Sequence, residues 1–323
     1  MKRSLLLVLA CVFLAALPAS TVVAADWPDG KRPVKLTNPF GAGGTGDVEL
    51  RMVAPMLEAK IGVPVIVENV TGAGGRIAME KHFNIKPDGH AIVYANMPAS
   101  HLGEYLYNGR YKMAEYTFIA NLVQEFRFIA VTAASPYKTF KDLFEASKTK
   151  NLTCANSGLG SSGHLGSVLL AEKVGLKHDI VPFDGNAPAK AAFLGGHVDF
   201  WMPGHTDVKA LVKEGKINLL AALAPMRLEG YEQVPTLKEL GYTDIPVYTA
   251  RGFCAPNGMD PELTAKIVAV FSSVLSDPKF LAWAKEVERP LNTVAGKAYA
   301  ALSKEVDDAV RDVLPIMRKS ISQ

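Results

Sequence analysis

The stretch Pro39-Phe-Gly-Ala-Gly-Gly-Thr-Gly-Asp47 decides how this chain is organised. It follows an alternating apolar run at 33–38 and precedes an amphipathic run from Val48 to Lys60, so we predict a strand, a glycine loop and a helix. Four glycines in six residues leave backbone N–H groups uncovered at the positive end of a helix dipole, which suits an anion. The stretch 39–47 contains no lysine, serine or cysteine that could act as a nucleophile, so we expect this loop to bind a ligand and not to react with it.

The same unit recurs along the first part of the chain. Predicted strands at 34–38, 63–68 and 90–95 alternate with predicted helices at 47–60 and 76–83. This order predicts a parallel sheet with helices on both faces. Loops at the carboxyl ends of such strands lie where open α/β sheets bind ligands.

A second α/β unit begins near Phe128, and its glycine loop is Ser157-Gly-Leu-Gly-Ser-Ser-Gly-His164. The chain crosses out of the first unit near Phe126 and returns near Thr249, which predicts a clamshell that closes around a ligand. The fold class is therefore α/β with two domains, each a mostly parallel sheet flanked by helices, and two crossovers. The predicted domains are 26–126 with 249–323, and 127–248.

The bulk composition supports two globular domains. The chain has 323 residues, of which 49% are hydrophobic and 21% charged. The net charge of +3 includes Lys2 and Arg3 near the N-terminus. Without them little positive charge remains, so we expect no nucleic-acid partner.

Residues 1–25 have the pattern of a secretory signal peptide. Lys2-Arg3 precedes an apolar run from Ser4 to Leu17, and small residues lead to predicted cleavage after Ala24 or Ala25. The apolar run is short for a membrane anchor. A faint lipoprotein-like box at Leu9-Ala10-Cys11 is the minor alternative. We therefore expect a soluble protein exported to the periplasm.

Two cysteines remain after this cleavage, Cys154 and Cys254. An oxidising compartment would allow a disulfide, but each lies in an apolar strand-like run, which favours two buried free thiols. His101, His197 and His205 have no metal-ligand spacing or cysteine partner, so no metal site is predicted.

Further motifs occur in an order that carries a family resemblance. They are Trp27-Pro28, Lys31-Arg-Pro-Val34, Glu68-Asn69, Gly72-Ala-Gly-Gly75, Pro87-Asp88-Gly89, Leu194-Gly-Gly-His-Val-Asp199, Val234-Pro-Thr-Leu-Lys-Glu-Leu-Gly241 and Gly252-Phe-Cys-Ala-Pro256. With the two loops quoted above, they make the chain resemble the substrate-binding proteins of tripartite tricarboxylate transporters, the Bug or TctC family. The resemblance covers almost the whole mature chain.

This resemblance implies a two-domain periplasmic binding protein, type II-like, that holds a small mono-, di- or tricarboxylate through loop backbone groups. It implies delivery to a membrane permease, no cofactor and a monomer. Departures from the family pattern leave the particular ligand open. They are Val70-Thr71, Arg76, Gly46 and Ala250.

The candidate ligand-binding residues are Phe40, Ala42, Gly43, Gly44, Thr45, Gly46, Met97, Ser157, Gly160, Ser161, Ser162, Gly163, His164, Gly185 and Asn186. Serine hydroxyls and His164 would donate to a carboxylate. Asp47 would repel one, so we expect it to cap the helix or to hold loop N–H groups. Arg76 and Arg251 are weaker candidates for pairing with a carboxylate, and Asp199 is a further weak candidate.

One competing hypothesis uses the glycine loop at 157–164. We call it the third loop, because the glycine loops at 39–47 and 72–75 precede it in the chain. Gly158-Leu-Gly-Ser-Ser-Gly163 is a GxGxxG motif between a strand and a helix, and Asp179 lies about 20 residues further on. Alone, it would predict an exported α/β enzyme with a nucleotide cofactor. The export signal and the full-length resemblance favour a binding protein that is not an enzyme. A role in sensing a ligand for a membrane receptor stays open beside transport.

Overall fold

The computed structural model describes residues 27–321, so the predicted signal peptide lies outside the described residues. The described part contains nine strands: β1 Val34–Asn38, β2 Val65–Asn69, β3 Ala91–Met97, β4 Thr117–Thr132, β5 Leu152–Asn156, β6 His178–Pro182, β7 Phe200–Trp201, β8 Ile217–Leu223 and β9 Tyr248–Ala255. It also contains ten α-helices: α1 Thr45–Ile61, α2 Arg76–Phe83, α3 Ala99–Leu106, α4 Phe140–Ala146, α5 Ser162–Leu169, α6 Asn186–Leu194, α7 His205–Lys213, α8 Pro261–Leu275, α9 Pro278–Glu286 and α10 Lys297–Ile321.

The strands follow the order β2-β1-β3-β9-β4-β7-β5-β6, and β8 also pairs with β4. β1 is parallel to β2 and β3, and β5 is parallel to β6 and β7. β9 and β4 add antiparallel pairings to these two parallel units. The predicted α/β class with two units and two crossovers is confirmed.

β4 is the strand that passes from one unit to the other. Residues 117–126 pair with β9, and residues 127–132 pair with β8. We call the part built on β1–β3, β9, residues 117–126, α1–α3 and α8–α10 the first lobe, and the part built on β5–β8, residues 127–132 and α4–α7 the second lobe. The predicted domain limits fall beside this change of partner and stay a prediction.

Each lobe has its own buried core, and one helix joins the two. In the first lobe, Leu36, Ile92 and Phe253 are fully buried between α1 and α8. The second lobe packs Phe140, Phe200 and neighbouring apolar side chains around β5 and β8. α5 of the second lobe packs against α10 of the first lobe, so the lobes are in contact beyond the crossing strands.

Both cysteines are free and buried, as predicted. Cys154 lies in the core of the second lobe, and Cys254 lies in the core of the first lobe against Tyr299. Within residues 27–321 no single helix is long and apolar enough to cross a membrane. α8 and α9 meet the length and composition only as a pair, with a bend of 55° between them.

Candidate functional site

A cavity of about 940 Å³ lies between the two lobes. The loops after β1 and β2 form its first-lobe wall, at 40–46 and 71–76. The loops after β5 and β6 form the opposite wall, at 157–159, 161–162 and 182–188. Residues of the crossing strands form its floor, so both lobes and their junction contact whatever fills the cavity.

Five helices begin at this cavity. Thr45 of α1, Arg76 of α2, Ala99 of α3, Ser162 of α5 and Asn186 of α6 are first helical residues, and all five line it. The N-cap residues of α1, α2 and α6 are glycines, so no side chain caps the first N–H groups of these helices. The first N–H groups of a helix point along its axis without an intrahelical partner, at the positive end of the dipole. The cavity therefore concentrates positive potential from both lobes.

The first loop is held by polar side chains behind it. Asn38 and Asn69 each donate a side-chain N–H to the Phe40 carbonyl, at 3.0 and 2.9 Å. Asp47 is buried, and its Oδ2 accepts from the Gly43 N–H and from Arg51 Nε, both at 2.9 Å. Although burial opposes it, these hydrogen bonds lower the pKa of the Asp47 carboxyl. The structure thus places Asp47 as a support of the loop, outside the cavity wall.

The candidate residues of the third loop separate into two groups. Ser157, Ser161 and Ser162 line the cavity. Gly160 and Gly163 do not: Gly160 packs beside Tyr107, and Gly163 packs inside α5 against Asn156. Of the candidate residues in this loop, only those with hydroxyl groups face the space between the lobes.

The expectation that His164 donates to a ligand is corrected. His164 is fully buried, its Nδ1 accepts from the Gly160 N–H at 3.0 Å, and its Nε2 lies 3.4 Å from Ser320 Oγ. Burial lowers the pKa of His164 to about 4, so the ring is neutral at physiological pH. It holds the loop from behind.

Two further candidates lie away from the cavity. Met97 is fully buried in the core of the first lobe. The Asp199 carboxylate accepts from the Thr153 N–H and hydroxyl, both at 2.9 Å, near the beginning of β5 and thus at the opposite end of the strand from the loop. Both side chains are structural.

The two candidate arginines already have carboxylate partners within the protein. Arg251 is buried, and all three of its guanidinium nitrogens donate: Nε and Nη2 to Glu49 at 2.9 and 2.8 Å, and Nη1 to Glu125 at 2.9 Å. Arg251 also lines the cavity, and these bonds use three of its five N–H donors, so its pairing with a ligand stays a prediction. Arg76 lines the cavity and pairs with Glu80 at 2.6 Å, while its Nε has no partner among the described residues.

The buried charged network at the floor of the cavity was not predicted from the sequence. Glu49 accepts from Arg251 and from the Tyr94 hydroxyl, the latter at 2.8 Å. Glu125 lies in β4, and its Oε1 accepts from the Thr206 N–H at 2.6 Å. Burial disfavours its charge, but Arg251 and Arg127 lower the pKa of the Glu125 carboxyl to about 2. Charged residues two apart in the apolar β4 sequence, Glu125 and Arg127, are a signal that would have revealed this network.

The position of Asp179 does not fit the dinucleotide fingerprint. Asp179 is the second residue of β6 and pairs in register with Thr153 of β5, three residues before the end that carries the glycine loop. Because a strand advances about 3.3 Å per residue, the backbone of Asp179 lies roughly 10 Å from that end of the strand. A ribose-binding acid would have to lie at the loop end. Within residues 27–321 no group of His, Cys, Asp and Glu side chains forms a candidate metal site.

Two α/β lobes with a ligand-sized cavity between them and two crossing strands define a periplasmic-binding-protein fold. The chain matches the family model of the tripartite tricarboxylate transporter family receptor over residues 50–318, and it belongs to that family. The resemblance found in the sequence is confirmed.

Individual relatives agree. The chain is 31% identical over 279 residues to the UPF0065 protein in the gbd 5′ region of Cupriavidus necator, covering 84% of this chain and 82% of the relative. It is similar to the solved structure of the periplasmic binding protein BugD, with a TM-score of 0.80, 28% identity, and coverage of 89% and 98%. It is also similar to MatC from Rhodopseudomonas palustris with bound malate, with a TM-score of 0.79, 25% identity, and coverage of 88% and 99%.

Proposed function

We propose that this protein captures a small mono-, di- or tricarboxylate in the cavity between its lobes and delivers it to the membrane permease of a tripartite tricarboxylate transporter. The observation that carries the proposal is the convergence of five helix N-termini on that cavity. The N–H groups and dipoles at these helix ends suit an anion. MatC, a similar structure, contains bound malate, which supports a carboxylate as the ligand.

The walls favour binding without chemistry. Glycine backbone and serine hydroxyls face the cavity from opposite lobes, and His164 is neutral and turned away from it. A carboxylate held between the walls contacts both lobes at once, so it stabilises the closed arrangement. Exclusion of water on closure strengthens each hydrogen bond to the anion.

A thermal-shift screen of mono-, di- and tricarboxylates tests the proposal. A ligand at 100 times its dissociation constant stabilises the folded state by about 2.7 kcal/mol, which raises the melting temperature by several degrees. The uncharged amide of the same acid is the control and should give no shift. No shift with any carboxylate, together with stabilisation by NAD or a nucleotide, would favour the cofactor-binding alternative and reject the proposal.

We also propose that residues 1–25 are removed on export and that the mature protein is a periplasmic monomer. The intact mass of protein purified from the periplasm should correspond to a chain beginning at Ala25 or Asp26. Sedimentation should give a single species of monomer mass. A retained leader or a stable dimer would contradict these statements.

An uptake measurement in cells distinguishes a role in transport from a role in sensing. Uptake of the labelled carboxylate should stop in cells that lack this protein and return when it is restored. Uptake that continues unchanged, with loss of a transcriptional response to the same acid, would assign the protein to sensing.

A further inference from the structure

Arg127 is a buried cation at the floor of the cavity. It lies in β4 directly after the crossing point, lines the cavity and is only 7% exposed. Its Nη2 donates to Thr249 Oγ1 at 2.7 Å, and its Nε has no partner among the described residues. A guanidinium has five N–H donors, so most of the hydrogen-bonding capacity of Arg127 is not used by carboxylates of the protein.

Arg127 differs in this respect from the other arginines of the buried charged network. Arg251 donates to Glu49 and Glu125 through all three nitrogens, and Arg289 lies 3.6 Å from Glu49. Within residues 27–321, Arg127 forms no ion pair within 4.0 Å. Burial lowers the pKa of Arg127, although the charges of the nearby Glu125 and Asp207 carboxylates, which are not hydrogen-bonded to it, oppose this shift.

The nearby acids are engaged elsewhere. Glu125 Oε1 accepts from Thr206, and its Oε2 accepts from Arg251. Asp207 Oδ2 accepts from the Gly204 N–H and from the Asn186 side chain. The Arg127 guanidinium therefore has N–H groups without an acceptor, and an acceptor group of the ligand would satisfy them.

Arg127 is also connected to the helix N-terminus that faces the ligand. Thr249 Oγ1, which accepts from Arg127, lies 2.7 Å from the hydroxyl of Ser162, the first residue of α5. A ligand bound at the N-termini of α1 and α5 lies beside this chain of hydrogen bonds. The cavity of about 940 Å³ is far larger than one carboxylate, so a second group of the same ligand has room at the floor.

We propose that Arg127 binds a second anionic group of the ligand and thereby makes this cavity select diacids over monoacids of equal length. This inference rests on the proposed function, because the first carboxylate is the one held at the helix N-termini. Arg127 acts by direct contact, through a guanidinium fork that matches a carboxylate. A monoacid leaves that buried charge without a partner, which weakens its binding.

Calorimetric titration with pairs of acids of equal chain length tests the inference. The pairs are malonate and propionate, succinate and butyrate, glutarate and valerate, and adipate and hexanoate. The unmodified protein should bind the diacid of at least one pair at least about tenfold more tightly, since a hydrogen bond to a charged group is worth roughly that factor or more. In Arg127→Gln that preference should fall to within about threefold while binding of the monoacid is kept.

Arg289→Gln is the matched control, because it removes an arginine from the same buried network at a position that does not line the cavity. It should keep the diacid preference. Arg127→Lys retains the charge without the fork and serves if Arg127→Gln does not fold; it should lose about tenfold in diacid affinity.

The inference is overturned if the unmodified protein shows no diacid preference in any pair, or if Arg127→Gln or Arg127→Lys keeps the full preference. Equal loss of diacids and monoacids in Arg127→Gln would assign Arg127 a structural role and also overturn it. Failure of the unmodified protein to bind any acid would reject the proposed function itself. If only the inference about Arg127 is wrong, the unmodified protein still binds monoacids and diacids, which distinguishes the two failures.

Discussion

Arg251 Nη1 donates to Glu125 Oε2 at 2.9 Å, and this buried ion pair joins the two strands that cross between the lobes. Arg251 lies in β9 of the first lobe. Glu125 also accepts from Thr206, near the beginning of α7 in the second lobe. One carboxylate thus binds both lobes at the junction that forms the cavity floor.

Replacing Glu125 by alanine should destabilise the fold by about 3 kcal/mol. Removal of one partner from a buried ion pair costs roughly 3–5 kcal/mol. The lower end is expected because Arg251 keeps its two hydrogen bonds to Glu49. Urea unfolding followed by tryptophan fluorescence measures the change.

The control for this experiment is an exposed ion pair. Lys304 and Asp308 of α10 are paired at 2.6 Å, but their side chains are 74% and 60% exposed. Asp308→Ala should leave stability within experimental error, since exposed pairs contribute little. Equal effects of Glu125→Ala and Asp308→Ala would contradict a special role for the junction.

Gly44→Asp should abolish carboxylate binding without unfolding the protein. Gly44 is the N-cap of α1 and has φ −73° and ψ 169°, which any residue adopts. An added Cβ meets only the Gly41 carbonyl, at 3.2 Å, so a small shift accommodates it. The new carboxylate would cap the helix and occupy the positive end that the ligand needs.

Binding by Gly44→Asp is measured by calorimetry against Gly44→Ser, a neutral N-cap that should weaken binding less. Circular dichroism should show an unchanged melting temperature or a small increase. If Gly44→Asp binds carboxylates as the parent does, the first loop is not the anion site.

The stability of the protein should fall on acidification from pH 6.5 towards pH 4. Burial lowers the pKa values of His82, His101 and His164 to about 4 each, from 6.5. Between these values the unfolded chain binds protons that the folded protein does not, so unfolding becomes more favourable as the pH falls. Each such histidine contributes up to about 1.4 kcal/mol per pH unit.

Urea unfolding at pH 7 and pH 5 measures this slope. His101→Gln should reduce it, because one of the three buried rings is removed. His197 is exposed, so His197→Gln should leave the slope unchanged. A parent protein with the same stability at both pH values would contradict the burial of neutral histidines.

Neither Cys154 nor Cys254 should react with Ellman's reagent in the folded mature protein. Both side chains are fully buried, and burial raises the pKa of each thiol to about 12, so the reactive thiolate is absent. After unfolding in guanidinium, two thiols per mature chain should react. None reacting after unfolding would reveal a disulfide, and rapid reaction before unfolding would contradict the burial.

The fold was largely predictable because its helices carry strong local signals. α2 has its predicted limits, Arg76 and Phe83, and α1 ends one residue after its predicted limit, Lys60. α9 was not predicted, although Asp277 and Pro278 are a helix start signal. β4 was predicted to begin at Phe128 and begins eleven residues earlier, at Thr117, because it continues through both lobes.

The site was predictable only where it depends on the backbone. Glycine spacing located the loops, which line the cavity. The charged floor was not predictable, because its contacts join distant parts of the chain: Arg251 and Glu49 are 202 residues apart, and Arg251 and Glu125 are 126 apart. His164 was assigned to the ligand for the same reason, since sequence does not show which partner a polar side chain already has.

The pairing of β4 with β9 has a mechanical consequence. The ladder runs from Thr117 paired with Ala255 to Phe126 paired with Tyr248, and the Arg127 N–H extends it past the crossing point by donating to the Val247 carbonyl at 2.9 Å, so the two crossing segments bend together. Flexing perpendicular to the ribbon preserves the ladder, whereas sideways bending would stretch the hydrogen bonds along one edge. Any movement of one lobe relative to the other therefore requires these two strands to bend as one unit.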